Sequence, residues 1–154
     1  MAYNGKLHDI ILFMDNTVGS LTQQQISLIY GCMLGDGYMR IMPGRKNAFL
    51  EVNHSIKAKK YVDFKYSILK NICKSPPVVR KIDEKRTAYR FYTIQHEEIT
   101  RIYKLFYKNG RKSIPRIVLN PLILAIWFMD DGSKSRAADV YLNTQQFSMN
   151  DQKK

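Results

Sequence analysis

The chain has 154 residues, 45% of them hydrophobic, enough for one ordinary domain with a buried core; wholesale disorder is excluded. Lys and Arg number 25 against 13 Asp and Glu, a net charge of +12, and polyanions are the commonest partners of so basic a chain. Two cysteines without ligand spacing argue against zinc, and no apolar run reaches transmembrane length, so no membrane role is expected. Ten Tyr and seven Phe are interleaved with the cations, which suits a folded surface lying on nucleic acid better than a flexible arm.

Residues 1–20 carry weak helical character. Thr22 and Gln25 then form a capping box that opens a helix to about residue 34. Ile26, Ile29, Tyr30 and Met33 make its apolar face, while Ser27, Gly31 and Gly35 recur every four residues. Glycine costs helix stability, so such a stripe predicts close approach of another helix. Asp36-Gly37 breaks the helix. A strand over 38–41, a Pro43-Gly44 turn and a strand over 48–56 follow, the latter alternating Leu50, Val52 and Ile56 with Glu51, Asn53 and Ser55. Helix is expected over 58–73, with Tyr61, Phe64, Ile68, Leu69 and Ile72 apolar. A hairpin over 78–82 and 88–95 and a helix over 97–108, stopped by Asn109-Gly110, come next. Asn120-Pro121 caps a further helix to about 129, and residues 140–143 read as a strand. The order α-β-β-α-β-β-α, followed by a second α-β, places the chain in the α+β class.

Two stretches say nearly the same thing: residues 29–37 and 124–132 are apolar helical runs, each ending in an acid followed by glycine. One Asp-Gly alone is an ordinary turn former. Two of them, each after a matched helix, predict side-by-side helices that bring Asp36 and Asp131 together. Such a carboxylate pair suits Mg²⁺ (or Mn²⁺), which takes a few carboxylates plus waters and phosphate oxygens, and beside a basic surface it points to phosphodiester chemistry. Asp130 aligns with Gly35 and is ranked below Asp131, as an orienting or turn residue. Lys112 reads either as a solvated loop cation or as a lysine that stabilises phosphate charge. Arg40, Arg45, Lys46, Arg80, Lys81, Arg86 and Arg90, with Asn53 on the polar strand face, are candidates for phosphate and groove contacts. His54 and His96 lack a catalytic constellation and read as surface or sheet residues.

The two motifs resemble the paired signature helices of the LAGLIDADG homing endonucleases, of the monomeric type encoded in group I introns. Trp127-Phe-Met-Asp-Asp-Gly132 followed by Leu142-Asn-Thr-Gln145 is the more specific match; Leu34-Gly-Asp-Gly-Tyr38 and Lys112-Ser-Ile-Pro115 agree in placement. The resemblance covers nearly all of residues 21–149. It implies a saddle of two αββαββα units on a long DNA site and double-strand cleavage with Mg²⁺ in intron homing. It makes Asp36 and Asp131 the metal-binding acids, Lys112 one catalytic lysine, and residues 38–56 and 78–95 the DNA-reading sheet. On this pattern residues 1–116 form one half-domain and 117–154 begin a second. The chain departs from the pattern in having Ile126 where the first motif has Gly31. It also ends where a second hairpin, helix and sheet would follow, so a C-terminal truncation and a complementing half-domain partner are expected. Two other functions stay open: a maturase that binds its own intron RNA, and a DNA-binding protein without cleavage. Residence in the mitochondrion is expected, with the chloroplast as alternative, from a Lys-, Ile-, Asn- and Tyr-rich composition, the absence of a transit-peptide pattern and the family's association with organellar introns.

Overall fold

A computed structural model describes residues 20–136 and 139–153; the expected helical character of residues 1–19 lies outside them. Helix α1 (Gln23–Leu34) opens on the predicted capping box: Gln25 N–H donates to Thr22 Oγ1 (3.2 Å) and Thr22 N–H to Gln25 Oε1 (3.0 Å). Strands β1 (Tyr38–Ile41), β2 (Ala48–Ser55), β3 (Val78–Lys81) and β4 (Thr87–Tyr92) form one antiparallel sheet in the order β1-β2-β4-β3. Helices α2 (Lys59–Leu69) and α3 (Glu97–Phe106) pack on its inner face, where Leu50, Val52 and Phe91 are buried. The architecture is α+β, as expected.

Paired residues share a face of the sheet. Val52 opposite Phe91 and Met39 opposite Leu50 fix the inner set. The same register sends Tyr38, Arg40, Glu51, Asn53, Arg90, Tyr92, Val78 and Arg80 to the open face. The period-two alternation along β2 is therefore what separates core from open face.

Three expectations change. Helix α3 stops at Phe106, and Asn109-Gly110 is no simple helix stop. Both residues have positive φ (51° and 73°) and turn a short hairpin of β5 (Tyr107–Lys108) and β6 (Arg111–Lys112). Asn-Gly is the preferred pair for such a two-residue turn, because both positions need left-handed backbone. Along α2 the apolar reading misplaces two neighbours: Phe64 is 46% exposed and Lys65 is 1% exposed. After helix α4 (Pro121–Asp131) the chain forms a two-stranded hairpin, β7 (Gly132–Lys134) with β8 (Val140–Leu142), where one strand over 140–143 was expected. Gly132-Ser-Lys has no β-branched or aromatic residue, so only its pairing reveals it as a strand. A short α5 (Met149–Gln152) follows.

Helix α4 is apolar nearly all round. Ile123, Ile126 and Trp127 enter the core, while Leu124 and Met129 stay exposed. Among the described residues no helix is long and apolar enough to cross a membrane.

Candidate metal centre and nucleic-acid surface

The site begins with the contact between α1 and α4. A Cβ built on Gly31 would lie 2.6 Å from Ile126 Cβ, and one on Gly35 would lie 2.4 Å from Asp130 Cβ. The small-residue stripe is thus filled by α4, and Ser27, its third member, accepts a 2.8 Å hydrogen bond from Asn120 Nδ2 at the head of that helix. Ile126 in place of a second glycine is the knob that fits the Gly31 hole. Unequal motifs make complementary surfaces.

This packing brings the C-terminal ends of α1 and α4 together, and with them Asp36 and Asp131. Asp36 is half exposed. Asp131 has its pKa pushed up to about 6, first by burial and then by the charges of Asp36 and Asp130, against the pull of Lys112. Gln146 spans the two helix ends, donating to Leu34 O (3.1 Å) and Asp131 Oδ2 (3.0 Å). Lys112, carried by the β5–β6 hairpin, donates to Gly35 O (2.6 Å) and Gly37 O (3.0 Å) on either side of Asp36. It satisfies carbonyls that the end of α1 leaves open. Burial lowers the pKa of Lys112, while Asp131, Asp36 and Asp130 oppose that shift.

A divalent ion fits this pair. The donors are hard carboxylate oxygens, and the raised pKa of Asp131, due first to burial and then to the neighbouring charges of Asp36 and Asp130, marks a site where an added cation would be favoured. A pH dependence of stability follows. The folded pKa of Asp131, about 6, lies above its ordinary 3.8, so the folded state holds more protons across that interval. This contribution is fully present below about pH 4 and is lost as pH rises through about 6. Asp131→Asn is therefore expected to melt higher than the native chain at pH 7.5 in EDTA, with the advantage shrinking toward pH 4. Thermal melts at the two pH values check it.

Behind Asp36 lies a buried group of charges that sequence reasoning did not assemble. The side chain of Asp130 is fully buried. Its Oδ1 accepts from Lys65 Nζ (2.6 Å) and from Tyr61 Oη (2.9 Å). Lys65 Nζ also lies 3.1 Å from His54 Nε2 and 4.3 Å from the centre of the Tyr61 ring. His54 Nδ1 faces Asp36 Oδ2 at 3.8 Å. Burial and the adjacent Lys65 charge lower the pKa of His54. The reading of His54 as a plain sheet residue is thus incomplete. Its place on the inner face was legible, since it continues the Leu50, Val52 alternation. Lys65 was legible only as a cation three residues from Val62 and four from Leu69 on a buried helix face. His96 caps α3, its Nδ1 accepting from Glu98 N–H.

Arg40, Asn53, Arg80 and Arg90 share the open face of the sheet. Arg45 and Lys46 lie in the β1–β2 connection and Arg86 in the β3–β4 connection; Lys81 is exposed but in the inner register, opposite Thr87. Arg40 lies over Phe49 (5.3 Å) and Arg90 over Tyr92 (5.2 Å), so the cations are held extended on aromatic rings. Glu51, the one acid on this face among the described residues, is 3.9 Å from Arg90 Nη1. A cleft of about 600 Å³ joins this face to Asp36; Asn53, His54, Lys57 and Arg86 also line it.

A model of the LAGLIDADG DNA endonuclease family matches residues 26–154. The cytochrome b mRNA maturase bI2 of Saccharomyces cerevisiae is 32% identical over 137 residues, covering 79% of this chain and 32% of its own length. The probable intron-encoded endonuclease 1 of Wickerhamomyces canadensis is 30% identical over 142 residues, covering 83% of this chain and 61% of its own. The chain therefore spans between a third and two thirds of these relatives. The homing endonuclease I-WcaI, in a structure bound to its DNA recognition sequence, shares the fold: TM-score 0.78 at 22% identity, covering 99% of this chain and 72% of that one.

Proposed function

The chain belongs to the LAGLIDADG DNA endonuclease family, and we propose that it serves sequence-specific, metal-dependent cleavage of double-stranded DNA in intron homing. One observation carries this reading: two acids meet at the base of glycine-packed helices, beside the half-buried Lys112 and at the edge of a basic, aromatic sheet face. Asp36 and Asp131 would hold Mg²⁺ (or Mn²⁺), which would supply charge stabilisation at the phosphate and ease deprotonation of the attacking water. Lys112, fixed by two carbonyls, adds positive charge at the same point. Arg40, Asn53, Arg80 and Arg90 face the bases, while Arg45, Lys46, Lys81 and Arg86 grip the backbone.

The two groups should separate on mutation. Arg45→Ala or Lys46→Ala is expected to weaken binding to all sequences alike and to flatten the salt dependence by about one counterion each. Arg90→Ala is expected to cost about 1–3 kcal/mol at the preferred site and to relax base preference at one position. Binding measured across salt concentrations, on specific and random duplexes, tells them apart.

The defining experiment is cleavage of a randomised duplex library with Mg²⁺ and with EDTA. Enrichment of one long site, cut only with the ion, supports the reading; binding indifferent to metal with no product from any sequence would sink it. A complementing half-domain, joined or separate, is a partner that exposed Leu124 and Met129 on α4 would suit, with residues 117–154 opening the second half. The likeness to a cytochrome b mRNA maturase favours a second reading, RNA assistance to splicing, and a mitochondrial setting with the chloroplast as alternative. Asp36→Asn should abolish homing and leave any splicing role intact.

A further inference from the structure

Asp36, His54 and Asp130 present one ligand atom each within 4.8 Å of one another, the composition and spacing of a metal site. Two of these three ligands, His54 and Asp130, are already held by a cation. Lys65 Nζ lies 2.6 Å from Asp130 Oδ1 and 3.1 Å from His54 Nε2, over the Tyr61 ring and 1% exposed. An ammonium group has donors and no acceptor. The short contact to Nε2 therefore requires the lone pair on that nitrogen, which leaves the ring proton on Nδ1, the atom facing Asp36. With Nε2 occupied by Lys65 and Nδ1 protonated, His54 has no lone pair to offer an ion.

We propose that Lys65 is the resident cation of the Asp36–His54–Asp130 cluster, a positioning residue that excludes divalent ions from it and holds His54 as the Nδ1–H tautomer aimed at Asp36. The Asp36–Asp131 pair is then left as the place where the catalytic ion binds, a consequence that rests on the endonuclease reading. Through Asp130, which packs on Gly35, Lys65 also fixes the end of α4 from which Asp131 extends. His54 Nδ1 faces Asp36 Oδ2 at 3.8 Å, a distance for electrostatic attraction and not for a hydrogen bond.

Tautomer and metal binding can both be read on the full chain without DNA, so failure here and failure of the endonuclease reading are distinguishable. Long-range ¹H–¹⁵N spectra of the native protein should show His54 with an unprotonated Nε2, and Co²⁺ titration should leave His54 unligated. Lys65→Met should lower Tm in EDTA. It should also bind Co²⁺ at least about tenfold tighter than the native chain, a gain of about 1.4 kcal/mol, and adding His54→Ala should abolish that gain. Co²⁺ should raise the melting temperature of Lys65→Met more than that of the native protein. A native His54 with Nε2–H, native Co²⁺ ligation through His54, or a folded Lys65→Met that gains no site would each overturn the proposal. If Lys65→Met does not fold, the two native measurements decide it alone.

Discussion

Asp36→Asn and Asp131→Asn are each expected to slow DNA cleavage by about 10³-fold or more while changing DNA affinity by less than about tenfold. The rate loss corresponds to about 4 kcal/mol of transition-state stabilisation, the scale of a metal ion's contribution to charge development at phosphate. Affinity should largely survive because the cations proposed to contact the polyanion, from Arg40 and Arg45 to Arg86 and Arg90, are untouched, and most of the attraction to phosphate comes from them. The two acids should differ in another respect. Asp131 is the one whose carboxyl is forced upward to about 6 by burial and by its acidic neighbours, so its neutralisation relieves repulsion in the metal-free protein. Asp131→Asn should therefore be more stable and less active, the usual exchange at a preorganised charged site. Single-turnover cleavage, binding with Ca²⁺ in place of Mg²⁺, and melts in EDTA check the three parts separately. Retention of cleavage by either variant would remove that residue from the metal site.

The sequence carried two helix starts and the strand alternation better than it carried the chemistry between them. Capping residues Thr22, Gln25 and Asn120 act locally, within three positions of their partners, and so were visible in a linear reading. The β2 alternation separated Leu50 and Val52 from Glu51 and Asn53 for the same reason. The convergence of Asp36 with Asp131 was legible because the repeat implied two equivalent helices. The Lys65 group was not: Lys65, His54, Tyr61 and Asp130 come from three elements, and a lysine on an amphipathic helix reads as solvated until its partners are known. Lys112 was read as an open choice between solvent and phosphate. Its two bonds to the carbonyls of Gly35 and Gly37 add a third reason for its place, bracing the turn that presents Asp36. Family resemblance led to the four-stranded sheet packed against its helices, but it could not supply Gln146 or Glu51, whose neighbours exist only in three dimensions.

Gly31→Ala should destabilise the protein, although helix propensity alone says the opposite. Alanine is favoured over glycine in a helix interior by about 1 kcal/mol. Against this, the added methyl would lie 2.6 Å from Ile126 Cβ, 2.8 Å from Ile126 Cγ2 and 2.9 Å from Ile123 O. The last of these is backbone, so a rotamer change in Ile126 cannot clear the space and α1 must move away from α4. Overpacking of this kind costs about 1–3 kcal/mol, and contact with backbone places Gly31→Ala at the upper end. The net loss is then about 2 kcal/mol, a fall in melting temperature of roughly 4–8 °C for a chain of this size. Moving α4 also moves Asp131 relative to Asp36, so cleavage should fall by more than the loss of folded protein explains. Ile126→Ala alone should cost about 2–5 kcal/mol through the cavity it opens. In the double variant the two changes compensate, since the new methyl of residue 31 enters the space vacated at 126. Their coupling should therefore be favourable by at least about 1 kcal/mol. A higher melting temperature for Gly31→Ala alone, or additive effects in the double variant, would mean that the two helices are not in contact along this stripe, and the meeting of Asp36 and Asp131 would lose its structural basis.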